Sequence, residues 1–109
     1  MRAQVYGIPN CGSVKKALEF FRQNGVEVDF HDFKKKGVPP ELLEVWVQTL
    51  GLNAVLNKKG TTWRGLLPEQ QALAEQPDEV MTLLLSNPSL IKRPVVYFNA
   101  RWSVGQTTF

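Results

Sequence analysis

Apolar and polar positions alternate along this chain with two different periods. Val14, Ala17, Leu18 and Phe21 stand three and four apart, with Lys15, Lys16, Glu19 and Arg22 on the opposite side. That spacing predicts a helix from about Gly12 to Asn24, closed by the Asn24-Gly25 pair. Before it, Gln4–Gly7 is a short strand bounded by Gly7 and Pro9. After it, Val26-Glu-Val-Asp-Phe30 alternates apolar and polar, as a strand with one buried face does. Two strands joined by a helix of this length form a parallel βαβ unit with a right-handed crossover.

The middle of the chain changes period. The run Lys34-Lys-Lys-Gly-Val-Pro-Pro40 reads as a solvated basic loop. Pro39-Pro40-Glu41 then opens a helix, with proline in the first turn and a carboxylate near the positive end. Leu42, Leu43, Val45, Trp46 and Leu50 give this helix its apolar side, and Gly51 ends it. Asn53–Leu56 reads as a short helical or turn segment, and 57–64 as a polar loop carrying Trp63 and Arg64. Pro68 starts a short helix, and Pro77–Leu85 forms a longer one closed by Asn87-Pro88. A strand over Ile91–Phe98, entered through Pro94, turns at Asn99-Ala100 into an antiparallel mate, Arg101–Val104. The order β-α-β, helices, β-hairpin is that of a thioredoxin-like (glutaredoxin-like) α/β domain. It predicts one domain over 1–109, with a helical insertion at about 39–88 before the C-terminal hairpin.

Composition narrows the functional classes. A chain of 109 residues supports a single core. It has no stretch of the roughly 18 apolar residues a membrane helix needs. Its N-terminus runs straight into a strand with no apolar leader-like segment. One cysteine excludes an internal disulfide, which suits a reducing cytoplasm. The formal charge of +3 attracts small anions but is too weak to indicate nucleic acid.

Within this frame Cys11 is the candidate centre of chemistry. It falls in the turn between the first strand and the first helix, where unpaired amides and the helix dipole favour an anion such as a thiolate. Lys15 and Lys16 add positive charge. A buried structural cysteine is the alternative, against which stand the non-apolar neighbours Asn10 and Gly12. His31, the one histidine, has no partner at ligand spacing, so no metal site is expected. The strand ends permit, without requiring, its approach to Cys11. Arg93 precedes the strand-entry Pro94, and the inferred topology sets that strand start beside the start of the first helix. A guanidinium there pairs with a thiolate or forks onto an oxyanion or carboxylate. Trp63 and Arg64 have two open readings: a pocket wall and a carboxylate anchor, or a cover for the core edge and a solvated charge.

Tyr6-Gly-Ile-Pro-Asn-Cys-Gly-Ser-Val-Lys-Lys-Ala17, Leu56-Asn-Lys-Lys-Gly-Thr-Thr-Trp-Arg-Gly-Leu66 and Ile91-Lys-Arg-Pro-Val-Val96 together resemble the ArsC family. That family comprises glutaredoxin-coupled arsenate reductases, Spx-type regulators and YffB-like reductases. The resemblance covers nearly the whole chain, and the Gly-Thr-Thr-Trp-Arg loop is similar to the YffB-like branch. It implies that Cys11 is the nucleophile, Arg93 the arginine beside the sulfur, and Pro94 the cis-proline facing it. Asn10, Gly12, Ser13, Lys15, Asn57, Trp63, Arg64 and Pro94 become candidates for holding the incoming thiol. Arsenate reductases of this type carry three arginines around the cysteine. Arg93 matches one, Asn57 stands at a second, and Val104–Gln106 offers none at the third. Spx regulators have Cys-x-x-Cys, whereas Val14 holds the second position here. The chain also reaches Phe109 with little of the family's closing C-terminal helix.

The resulting expectation is a cytoplasmic, single-cysteine, glutathione-dependent thiol reductase that holds no cofactor and uses glutathione as co-substrate. Glutaredoxin is a further candidate partner. The rivals are an Spx-like binding protein that contacts RNA polymerase, and an arsenate reductase.

Overall fold

The computed structural model describes residues 1–109 as two compact units. The first comprises residues 1–37 and 93–109; the second is the intervening segment 38–92.

The first unit is a four-stranded mixed sheet with a helix across one face. Strand β1 (Arg2–Gly7) leads into helix α1 (Gly12–Gln23), which returns to β2 (Glu27–Asp32). The hairpin β3 (Val95–Phe98) and β4 (Arg101–Val104) completes the sheet in the order β2-β1-β3-β4. Parallel pairing of β1 with β2 and antiparallel pairing of β1 with β3 make it a thioredoxin-like core. On α1 the periodic positions Val14, Ala17 and Phe21 are fully buried. They meet the side of the sheet that Ala3, Val5 and Val96 present, because alternate strand residues share a face. Phe21 lies 5.0 Å from the ring of Phe98 and 4.7 Å from that of Phe109. A fully buried Phe contributes about 1.5–3 kcal/mol, so this cluster is what fixes α1 against the sheet. Gly25, at φ +70, supplies the left-handed turn that ends α1, and Val26 N–H closes it on the Phe21 carbonyl at 2.9 Å.

The elements differ from the sequence pattern mainly at their ends. β1 begins two residues before Gln4, because Arg2 pairs with Glu27 of β2 and its guanidinium bridges Glu27 and Asp29 at 2.8 and 2.7 Å. β2 runs on to Asp32, placing His31 inside the strand. The basic loop starts as a helical turn, α2 (Phe33–Lys36), because the Asp32 carboxylate accepts from Lys34 N–H at 2.8 Å and the Phe33 side chain is buried.

The second unit is helical: α3 (Pro40–Leu50), α4 (Leu52–Val55), α5 (Thr61–Arg64), α6 (Pro68–Ala72) and α7 (Pro77–Ser86). Its core residues include Leu43, Trp46, Val55, Val80 and Leu84. Ile91 does not join β3 as the pattern suggests. It forms an antiparallel bridge with Leu56, and Lys92 N–H donates to the Val55 carbonyl at 2.8 Å, so this stretch belongs to the helical unit. The polar loop closes on itself: Asn57 Oδ1 accepts from Lys59 N–H at 3.1 Å, and Lys58 Nζ lies 5.3 Å from the centre of the Trp63 ring. Its last residues wind into α5, and the Trp63 carbonyl accepts from Gln71 Nε2 at 2.9 Å. No helix is long and apolar enough to cross a membrane.

Candidate active site

The sulfur is positioned by the way the chain leaves β1. Ile8, Pro9 and Asn10 make a turn in which Cys11 N–H approaches the Ile8 carbonyl at 3.4 Å. Cys11 is extended at φ −97 and ψ 129, the backbone shape of a residue that caps a helix. Its carbonyl accepts from Lys15 N–H at 3.0 Å, starting the hydrogen-bond ladder of α1. The amides of Ser13 and Val14 have no intrahelical partner at this end. In a capping serine or aspartate, an oxygen would take those protons. Here the larger sulfur stands in that place, without a cap hydrogen bond of ordinary geometry for the neutral thiol.

Opposing influences act on the thiol. Burial of the partly covered sulfur pushes its pKa up. The Val14 and Ser13 amides, followed by the charge of the Arg93 guanidinium and its hydrogen bond to the sulfur, outweigh that and hold Cys11 below the ordinary thiol value. Arg93 Nε and Nη1 are buried and have no hydrogen-bond partner. With these two donors withdrawn from water and unpaired, while the guanidinium also faces the sulfur, Arg93 is suited to an anionic ligand beside the thiolate.

Arg93 reaches this position because the chain re-enters the sheet next to β1. The Arg93–Pro94 peptide is cis, Pro94 is fully buried, and its carbonyl accepts from Gly105 N–H at 2.9 Å. Around the sulfur, Asn10, Gly12, Ser13 and Lys15 are exposed, leaving one side of the site open. Asn57, Trp63 and Arg64 lie in the helical unit; Asn57 and Trp63 are half-buried and Arg64 is exposed. His31 has partners of its own: its ring lies 5.4 Å from Tyr6 and 5.9 Å from Phe33, with Nε2 2.8 Å from the Gly37 carbonyl. One residue of this neighbourhood is inconspicuous in the sequence. Gly7, at the end of β1, is buried against Val14 and Arg93. The available signal is the alternation Ala3, Val5, Gly7, which points all three toward α1 with the smallest residue last.

A thioredoxin-like domain with a lone cysteine at a helix start and an arginine against its sulfur defines a class of thiol-bearing proteins. The chain belongs to the ArsC family, whose sequence pattern matches residues 6–108. It is 35% identical over 101 residues to an uncharacterized protein of Haemophilus influenzae, spanning 93% of this chain and 88% of that one. Among solved structures it is similar to a YffB protein at 39% identity and a TM-score of 0.84, covering 94% of this chain and 89% of the other. It is also similar to an arsenate reductase related protein of Brucella melitensis, at 34% identity and a TM-score of 0.75, covering 97% and 88%.

Proposed function

We propose that this chain is a glutathione-dependent thiol reductase working through Cys11 alone. The observation that carries the reading is a thiol of lowered pKa, faced by Arg93, in a chain with no second cysteine. The Cys11 thiolate attacks the glutathione sulfur of a mixed disulfide. A Cys11–glutathione disulfide forms, the original S–S bond breaks, and the other thiolate leaves with its electron pair and takes a proton from water. A second glutathione, as thiolate, then attacks the bound glutathione sulfur. Oxidised glutathione leaves and Cys11 thiolate is regenerated. The chain cannot resolve the adduct itself, so an outside thiol is required. Arg93, with two unpartnered donors, is the group that would steady a carboxylate of the peptide thiol. The cytoplasm, where glutathione is kept reduced, is the compartment this cycle requires.

Arsenate fits less well, because a tetrahedral oxyanion is best held by several forked donors and Arg93 is the one arginine at the sulfur in the sheet unit. The test is turnover of purified protein with a small-molecule glutathione mixed disulfide and reduced glutathione, read as oxidised glutathione formed. A parallel arm supplies arsenate in place of the disulfide. Turnover with the disulfide that disappears in Cys11→Ser supports the proposal. Turnover with arsenate only reassigns the substrate. A wild-type rate no greater than that of Cys11→Ser removes the enzymatic reading and leaves a binding protein.

A further inference from the structure

We infer that Gly7 is a positioning residue for the Cys11 thiol: its missing side chain lets the first turn of α1 close against the end of β1. The inference rests on the reading of Cys11 as a reactive thiolate. It concerns a residue that is not among the groups acting on the sulfur.

Gly7 is the last residue of β1 and is paired with Asp32 of β2, so its backbone is fixed by the sheet. Its Cα faces α1, as do Ala3 and Val5 four and two residues earlier. A Cβ at this position would stand 2.7 Å from Val14 Cγ2, closer than carbon atoms approach one another, and 3.8 and 3.9 Å from Cβ and Cγ of Arg93. Nothing about φ demands glycine here, since Gly7 is not among the positive-φ glycines. The demand is for space.

The crowded atom cannot step aside easily. Val14 is fully buried, and a β-branched side chain in a helix strongly prefers one rotamer. Relief must therefore come from moving the helix start outward. Val14 is also the residue whose amide faces the Cys11 sulfur, and Arg93 supplies the positive charge. A single added methyl group thus pushes on the residue whose amide favours the thiolate while leaving that amide chemically intact, and it only fills ordinary contact distance to the stem of Arg93.

The experiment is the pH dependence of the rate of Cys11 alkylation by iodoacetamide, a neutral probe. It is measured in wild type, Gly7→Ala, Val14→Ala and the double variant, with circular dichroism to establish folding. Gly7→Ala should raise the midpoint by about half a unit or more, cutting the thiolate fraction below the midpoint by roughly threefold. The plateau rate at high pH should change little. In the Val14→Ala background, where Cγ2 is gone, adding the Gly7→Ala change should leave the midpoint where Val14→Ala alone puts it. A Gly7→Ala midpoint equal to wild type, or an equal shift in both backgrounds, overturns the inference. A Gly7→Ala chain that does not fold also overturns it, making Gly7 a requirement of the fold alone. A wild-type midpoint at the free-thiol value of about 8.5 overturns instead the reactive-thiolate reading on which it rests.

Discussion

At the scale of single residues, the chemistry turns on a sulfur that replaces a capping oxygen. Because its pKa is lower in the folded chain than in the unfolded one, Cys11 couples ionisation to stability. Between the folded midpoint and the free value of about 8.5, the unfolded chain holds a proton that the folded chain has released. Stability relative to Cys11→Ser should therefore rise with pH across that window and level off above it. It is lost as pH falls through the folded midpoint. Denaturant unfolding of both proteins at several pH values measures this; parallel curves would remove the coupling. Arg93 gives a second expectation. Arg93→Lys keeps the charge but loses the planar fork. The alkylation midpoint should move only part of the way up. The KM for a glutathione mixed disulfide should rise about tenfold or more, the worth of a charge-assisted hydrogen bond of roughly 1.5 kcal/mol. An unchanged KM would take Arg93 out of ligand binding.

At the scale of elements, the β3–β4 hairpin shows pairing overruling local preference. Phe98 pairs with Arg101, so Asn99 and Ala100 alone must turn the chain. A two-residue turn matching the twist of its strands needs positive φ at both positions, and these residues have φ of 54 and 60. Asparagine tolerates that region; alanine does so at a cost of about 1 kcal/mol or more. Ala100→Gly should therefore stabilise the fold by about 0.5–1 kcal/mol after glycine's greater unfolded-state entropy is counted. The thermal midpoint would rise by a few degrees. A lowered midpoint would mean that the Ala100 methyl contributes packing that outweighs the strain.

At the scale of the whole molecule, charge is divided unevenly. Residues 1–37 and 93–109, which hold Cys11, carry nine lysines and arginines against four acids, whereas 38–92 carries four against six. The thiol therefore sits on the positive unit, which favours approach of anionic disulfides. Between about 10 mM and 0.5 M salt, the rate of Cys11 with an anionic disulfide should fall severalfold, as the Debye length shrinks from about 30 Å to a few ångströms. The rate with a neutral disulfide should hardly change. Equal salt responses would show that the charge does not reach the sulfur.

How much of this the residues determined by themselves follows from the range of the forces involved. The period of Val14, Ala17, Leu18 and Phe21 announced α1, and Asn24-Gly25 its end, because helices and caps are written in contacts a few residues apart. The place of Cys11 was legible for the same reason: a cysteine at a helix start meets its own downstream amides. The βαβ order and the hairpin were also visible, since strand alternation and turn residues are local. What only the tertiary structure decided lies across long separations. Ile91 stands just before the apolar run that opens at Val95 and reads as part of the same strand, yet it pairs with Leu56 because the helical unit offers its backbone an earlier partner. His31 settles between Tyr6 and Phe33 once β2 registers on β1. Gly7 is one glycine among 8 in the sequence. It becomes the tight point of the site only when β1 and α1 are brought closer than a methyl group allows, and no pattern of neighbours along the chain encodes that distance.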